Sequence, residues 1–316
     1  MKVFVAGGSG VLGRATVRAL SEAGHTVRAT ARGPEKALVV RRLGAEPVDI
    51  DLFDAAAVRR AVSGSAAIVR LTTKIPSLTK MGRHGAWAET NRLRTEGARI
   101  MVEAALQEQV PVYVHESVVF VYRDGGTDWL DEDAPTDDGG TTPLRAALAG
   151  EQEASRFTRA GGLGIVLRFG GFYGPDAPST LETAQMMRRR LLPQIGQGTN
   201  YLSSVYVPDA GRAVAAALTV PAGIYNIADD VPVLFAAYLR IAARSLGVPR
   251  PWRLPRVLRP LLFGEMGRYL FRSLRVSNRR FRDAAGWAPE FPSASDGWAR
   301  IAAQWGGTEP AAGVAG

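Results

Sequence analysis

Gly7, Gly10 and Gly13 recur at intervals of three in the heptad Gly7-Gly8-Ser9-Gly10-Val11-Leu12-Gly13. They lie between a short apolar run, Lys2 to Ala6, and a stretch in which Leu12, Ala15, Val17 and Leu20 recur at helical spacing. Positions without Cβ at this spacing let the chain turn tightly, bring its backbone against a pyrophosphate and pack helix on strand. The amides of Val11, Leu12 and Gly13 at the helix start then face the anion, with Ser9 beside them. This is the chemistry of a dinucleotide site. At the end of the second apolar run stands Thr30-Ala31-Arg32-Gly33, with no acid before Glu35. An arginine there suits a 2′-phosphate, so NADP(H) is favoured over NAD(H). Farther on, Asp51 and Leu52 are placed to meet the adenine, and Leu71, Thr72 and Thr73 to line the ribose and pyrophosphate.

The elements that hold these residues follow from periodicity. Strands are expected at 2–6, 25–31, 47–50, 65–72, 111–117 and 164–169, with helices between them at 11–23, 35–43, 55–62, 87–109 and 144–160. Asp54 reads as the cap of the third helix. Alternating strands and helices, with strands apolar throughout, specify an α/β fold: a doubly wound, mainly parallel sheet of Rossmann type. Residues 1–175, with a return segment 203–228, form the expected dinucleotide-binding domain. Residues 176–202 and 229–305, broken by prolines, form a smaller C-terminal substrate lobe, and 306–316 a frayed tail. Ligands in such sheets bind beyond the carboxyl ends of the strands.

Composition narrows the function. The 316 residues contain no cysteine and three histidines, which excludes disulfides, thiol nucleophiles and thiolate metal sites. No 18-residue apolar run is present, and the N-terminus lacks a targeting pattern, so the expectation is a cytoplasmic protein without a membrane or nucleic-acid partner, acting on a small-molecule substrate. The formal charge is +9. Between Arg240 and Arg300 stand thirteen arginines and four acids, which equals that whole surplus. The stretch reads either as a lobe attracting phosphate, carboxylate or nucleic acid, or as a solvated helical surface. The seven acids between Asp124 and Asp138 read as a surface turn that meets this basic lobe.

Taken in order, the motifs resemble the extended short-chain dehydrogenases/reductases, the NAD(P)-dependent epimerase/dehydratase group. Gly7–Gly13 resembles its glycine motif, and Asp51-Leu52 its acidic pair after the third strand. Asn91 is similar to its helix asparagine, Val114–Tyr122 to its serine-bearing strand end, and Leu167–Pro175 to its Leu-Arg…Tyr-Gly-Pro segment. The resemblance implies an enzyme, and for this family a homodimer through two long helices is ordinary. One departure stands out. Aligning Glu151 with the helix glutamate of the family puts Pro143 and Ala147 where the proton-donating Tyr-x-x-x-Lys should stand, aligning Glu153 puts Arg145 and Ala149 there, and no such pair occurs elsewhere. A non-standard proton donor is therefore expected: Ser117 orienting a substrate oxygen, with Tyr173, Tyr122 or Glu116 moving the proton. The readings are an NADP(H)-dependent oxidoreductase or epimerase-like enzyme, a non-redox isomerase or cyclase that keeps the cofactor, or an NADP(H)-sensing binding protein.

Overall fold

The computed structural model describes residues 1–77, 80–83, 85–258, 263 and 267–306. Most of the tail expected to fray lies outside these residues, as does His84.

Seven strands form one sheet: β1 (Lys2–Ala6), β2 (Thr26–Thr30), β3 (Glu46–Val48), β4 (Ala67–Arg70), β5 (Val112–Val118), β6 (Leu163–Phe169) and β7 (Gly223–Ile227). Their spatial order is β7-β6-β5-β4-β1-β2-β3, and every pairing is parallel. The order reverses between β1 and β4, so the crevice for a ligand opens there.

Side chains alternate across this sheet as the pleat requires. On one face Val3, Val5, Val112 and Val114 meet α1 (Val11–Glu22) and α8 (Val207–Ala216). On the other, Phe4, Ile68 and Tyr113 meet α3 (Ala55–Val62), α5 (Ala98–Gln107) and α6 (Thr142–Arg159). Asp54 caps α3 as expected, its carboxylate accepting from the amides of Ala56 and Ala57. The helix read as one piece over 87–109 is instead α4 (Ala88–Arg92), one π turn (Leu93–Gly97) and α5. Pro34 begins α2 (Pro34–Arg42), where its missing N–H is harmless.

Of the segments expected to form the lobe, α7 (Pro178–Arg188), α9 (Phe235–Ser245) and α11 (Ala294–Gly306) join short two- and three-residue strands, whereas α10 (Arg279–Ala285) packs Phe281 into the core of the main sheet. Ser204–Tyr206, in the return segment, pairs in parallel with Gly171–Tyr173 outside the main sheet. The lobe has its own core around Tyr173, Tyr206, Leu239, Trp298 and Ile301. No described helix is long and apolar enough to cross a membrane.

The charge asymmetry resolves into contacts. Arg272 pairs with Asp137 at 2.5 Å, Arg280 with Asp133 and with Glu132 at 3.3 Å, and Arg282 with Asp230 at 2.9 Å. The acidic turn is thus the counter-surface of the second half of the basic lobe.

Candidate functional site

The glycine loop is shaped by close approach. Gly7 has φ +94°, and its carbonyl accepts from the Gly10 amide at 3.0 Å. A Cβ on Gly13 would fall 1.9 Å from that same carbonyl, and one on Gly8 would meet the Cβ of Ala29 at 2.5 Å. No side chain caps α1 at Gly10, so its first amides keep their hydrogen-bonding capacity for a ligand. The Gly7 amide donates to the Thr30 hydroxyl at 2.7 Å, fixing the loop to the end of β2. Arg14 spans from the Ser9 carbonyl to the carboxylate of Asp176, tying the loop to the segment after Tyr173.

Around the loop, Leu71 is buried against Gly7, Thr72 is buried and Thr73 half-buried. Arg32 is exposed and has no ion pair among the described residues. Asp49, which the sequence reading passed over, accepts from the Gly33 amide at 3.2 Å and brings a carboxylate close to Arg32 in the chain fold. Asp51 accepts from the Phe53 amide at 3.0 Å, an Asx turn that presents Leu52 half-buried. Asn91 is half-buried, and its Oδ1 has no protein partner. A backbone cradle, free helix-start amides and an exposed guanidinium fit a nicotinamide dinucleotide.

At the other end of the crevice the four side chains expected to orient the substrate or move its proton have different surroundings. Along β5, Tyr113, His115 and Ser117 all face α6. Ser117 donates to Glu151 at 2.6 Å, and Arg168 closes on the same carboxylate through Nε at 2.9 Å and Nη2 at 2.6 Å. Burial works against the charge of Arg168, but these bonds outweigh it and raise its pKa. The guanidinium lies 4.8 Å over the ring of Tyr122, whose hydroxyl donates to Asn226 at 2.8 Å. Burial pushes the Tyr122 hydroxyl up to about 12, the opposite of what a proton donor working near neutrality needs. Tyr173 donates to the Ser293 carbonyl at 3.2 Å and is walled in by Tyr206, Tyr238 and Trp298, and burial raises its pKa strongly. All three hydroxyls therefore bond to protein partners: the buried Glu151 and Asn226, and the carbonyl of the half-buried Ser293.

Glu116 differs. It is 4% exposed, one oxygen lies 3.5 Å from the guanidinium of Arg94 in the π turn, and the other has no protein partner. Beside it Arg70, fully buried at the end of β4, donates to the carbonyls of Thr72 and Leu93. Burial first, then Arg70 and Arg94, keep His115 far below its ordinary pKa, so it is neutral. Neither Arg70, at the end of an apolar run, nor Arg94, in a polar helical stretch, gives a sign in the sequence of which face it takes. Lys74 pairs with Glu89 at 2.7 Å on the surface.

Pro143 lies buried in the first turn of α6, and Ala147, 1% exposed, packs with Leu144, Met81, Val121 and Tyr269, bordered by Trp87 and Phe120. No group of three or more acidic or histidine side chains among the described residues could hold a metal ion.

Residues 3–228 match the NAD dependent epimerase/dehydratase family. The chain is 36% identical over 312 residues to a 3-diazoavenalumate denitrifying reductase of Streptomyces sp, covering 95% of this chain and all of the relative. Among solved structures, a UDP-glucose 4-epimerase of Thermotoga maritima superposes with a TM-score of 0.80 at 18% identity, covering 97% of this chain and 99% of that one. A human epimerase family protein solved with NADPH does so with a TM-score of 0.78 at 21% identity, covering 96% and 99%.

Proposed function

The chain belongs to the NAD dependent epimerase/dehydratase family, and from that footing we propose that it is an NADP(H)-dependent reductase of small molecules whose acceptor group needs no oxygen protonated. A diazo group is the acceptor class the reading favours. One observation carries it: in the register set by Glu151, the positions of the proton-donating pair hold Pro143 and Ala147, both buried, and Ala147 belongs to a packed apolar cluster. A ketone that gains a hydride becomes an alkoxide and needs a proton in the same step. A diazonium carbon does not. Diazonium plus hydride gives a carbon–hydrogen bond plus dinitrogen, and atoms and charge balance without a donor side chain. The Streptomyces relative, named as a denitrifying reductase of a diazo acid, supports this reading.

Bound in the crevice, the nicotinamide coenzyme supplies the hydride. In this reading the amides of Val11, Leu12 and Gly13, with Ser9, hold the pyrophosphate, and Arg32 meets the 2′-phosphate. Asp51 and Leu52 border the adenine; Leu71, Thr72, Thr73 and Asn91 line the remainder. Ser117, Tyr122 and Tyr173 act as walls, and Glu116, whose second oxygen is unpartnered, handles any proton the substrate exchanges with its surroundings.

The test offers purified protein NADPH or NADH with an aryl diazo acid and, separately, with ketones and nucleotide-sugars. Absorbance of the reduced coenzyme and dinitrogen release are followed together. NADPH consumption matched by dinitrogen is the expected result. Faster turnover of any ketone, or a diazo acid left untouched, overturns the proposal.

A further inference from the structure

Half of the basic lobe finds its counter-charges on the acidic turn; the other half does not. Two stretches of the sequence, 183–208 and 231–264, contain no aspartate or glutamate, and together they carry nine arginines. The fold joins them. The Gln194 amide donates to the Trp252 carbonyl at 2.8 Å, Arg253 pairs with Gln194 along the backbone, and the Trp252 indole donates to the Arg190 carbonyl at 3.1 Å. The seam therefore places Arg189 and Arg190 beside the segment carrying Arg250, Arg253 and Arg256. All five are exposed, and none has an ion pair among the described residues.

The same seam carries apolar side chains that a solvated surface does not require. Val257 is 80% exposed, Leu191 59% and Trp252 50%; the first two are the most exposed large apolar side chains among the described residues. Trp129 makes the contrast. It is equally exposed, but Arg275 covers its ring at 4.3 Å and aspartates surround it. Trp252 lies in a stretch that carries arginines and no aspartate or glutamate.

We infer that this seam is a docking surface for an anionic lipid bilayer, with the arginines on the headgroup phosphates and Trp252, Leu191 and Val257 at the boundary of headgroups and acyl chains. Both halves of the surface are needed for such an occupant. Basic side chains draw a protein to an anionic leaflet, and tryptophan and aliphatic side chains settle at its interface. A nucleic-acid backbone would use the arginines and leave the exposed valine and leucine in water. The contact is peripheral and needs no spanning helix. It departs from the expectation, drawn from composition, of a protein without a membrane partner.

Vesicle flotation tests the inference with the full chain. The protein should float with vesicles of equal phosphatidylglycerol and phosphatidylcholine at low salt, come off as salt is raised, and stay behind with phosphatidylcholine alone. Arg250→Glu/Arg253→Glu/Arg256→Glu should weaken partition about tenfold or more. Trp252→Ser/Val257→Ser, which leaves the charge unchanged, should weaken it as well. Coenzyme titration of both variants, whose changes lie far from the glycine loop in sequence, should match the unaltered protein and so report an intact fold. Failure of the unaltered protein to float overturns the inference. So does a Trp252→Ser/Val257→Ser variant that floats undiminished, or a duplex oligonucleotide bound more tightly than the vesicles, since either makes the surface a simple polyanion site.

Discussion

The two ends of the crevice are held by different means. At the glycine end the constraints are backbone constraints: a carbonyl that excludes a Cβ at Gly13, a positive φ at Gly7 and helix-start amides without a cap. At the α6 end they are side-chain constraints. Glu151 gathers Ser117 and Arg168, Arg168 covers Tyr122, and Tyr122 reaches Asn226, whose amide in turn donates to Glu132. An anion grip made of backbone survives wide changes in side chains. A proton donor made of one side chain is lost with that residue, as we propose for the positions of Pro143 and Ala147. The difference teaches that coenzyme binding and proton handling are separable in this fold.

The strongest way to break the comparison is Glu151→Ala. It leaves the Arg168 guanidinium, 4% exposed, without its counter-charge, and unpairing a buried ion pair costs about 3–5 kcal/mol. Denaturant unfolding should show that loss, while Glu151→Gln should restore part of it. A loss below about 1 kcal/mol would mean that the network does not hold the α6 end together.

Gly13→Val attacks the other end. Its Cβ has no room beside the Gly7 carbonyl, so NADPH affinity should fall about a hundredfold, roughly 2.7 kcal/mol. Coenzyme fluorescence titration reads this directly, and unchanged affinity would remove the pyrophosphate from the loop.

Asp229 sharpens the contrast from the side of the lobe. Its carboxyl accepts from Ser204 at 2.8 Å and from the Tyr206 amide, and burial pushes its pKa up to about 8. In the unfolded chain it titrates near its ordinary value of about 3.9. The fold therefore holds a proton that the unfolded chain releases. This contribution to stability is complete below the unfolded value and is lost as pH rises through about 8. The melting temperature should fall as pH rises across that window, and Asp229→Asn should flatten the curve. An Asn variant with the same pH profile contradicts a protonated Asp229.

The smallest effect belongs to Arg32→Ala. It should weaken NADPH about tenfold, near 1.4 kcal/mol, and leave NADH unchanged. Equal losses for both coenzymes would show that Arg32 does not meet the 2′-phosphate and that the nearby Asp49 carboxylate sets the preference.

Much of the fold was legible in the residues. Apolar runs separated by helical periodicity specified parallel strands with helices on both faces, because a strand buried on both sides has no polar positions to spare. The glycine spacing marked the loop, because only missing Cβ atoms permit that approach. The absence of Tyr-x-x-x-Lys was equally plain, since it concerns residue identity alone. What tertiary structure decided was direction and partnership. Ser117 and Tyr122 have the same hydroxyls whether aimed at a substrate or at Glu151 and Asn226, partners 34 and 104 residues away in the chain. The arginines of the lobe look alike in sequence, yet some close on the acidic turn and others line an unpaired seam with Trp252. Local spacing fixes what the backbone can do, because backbone geometry is set by near neighbours. Which long side chain meets which charge depends on segments brought together only when the chain has folded.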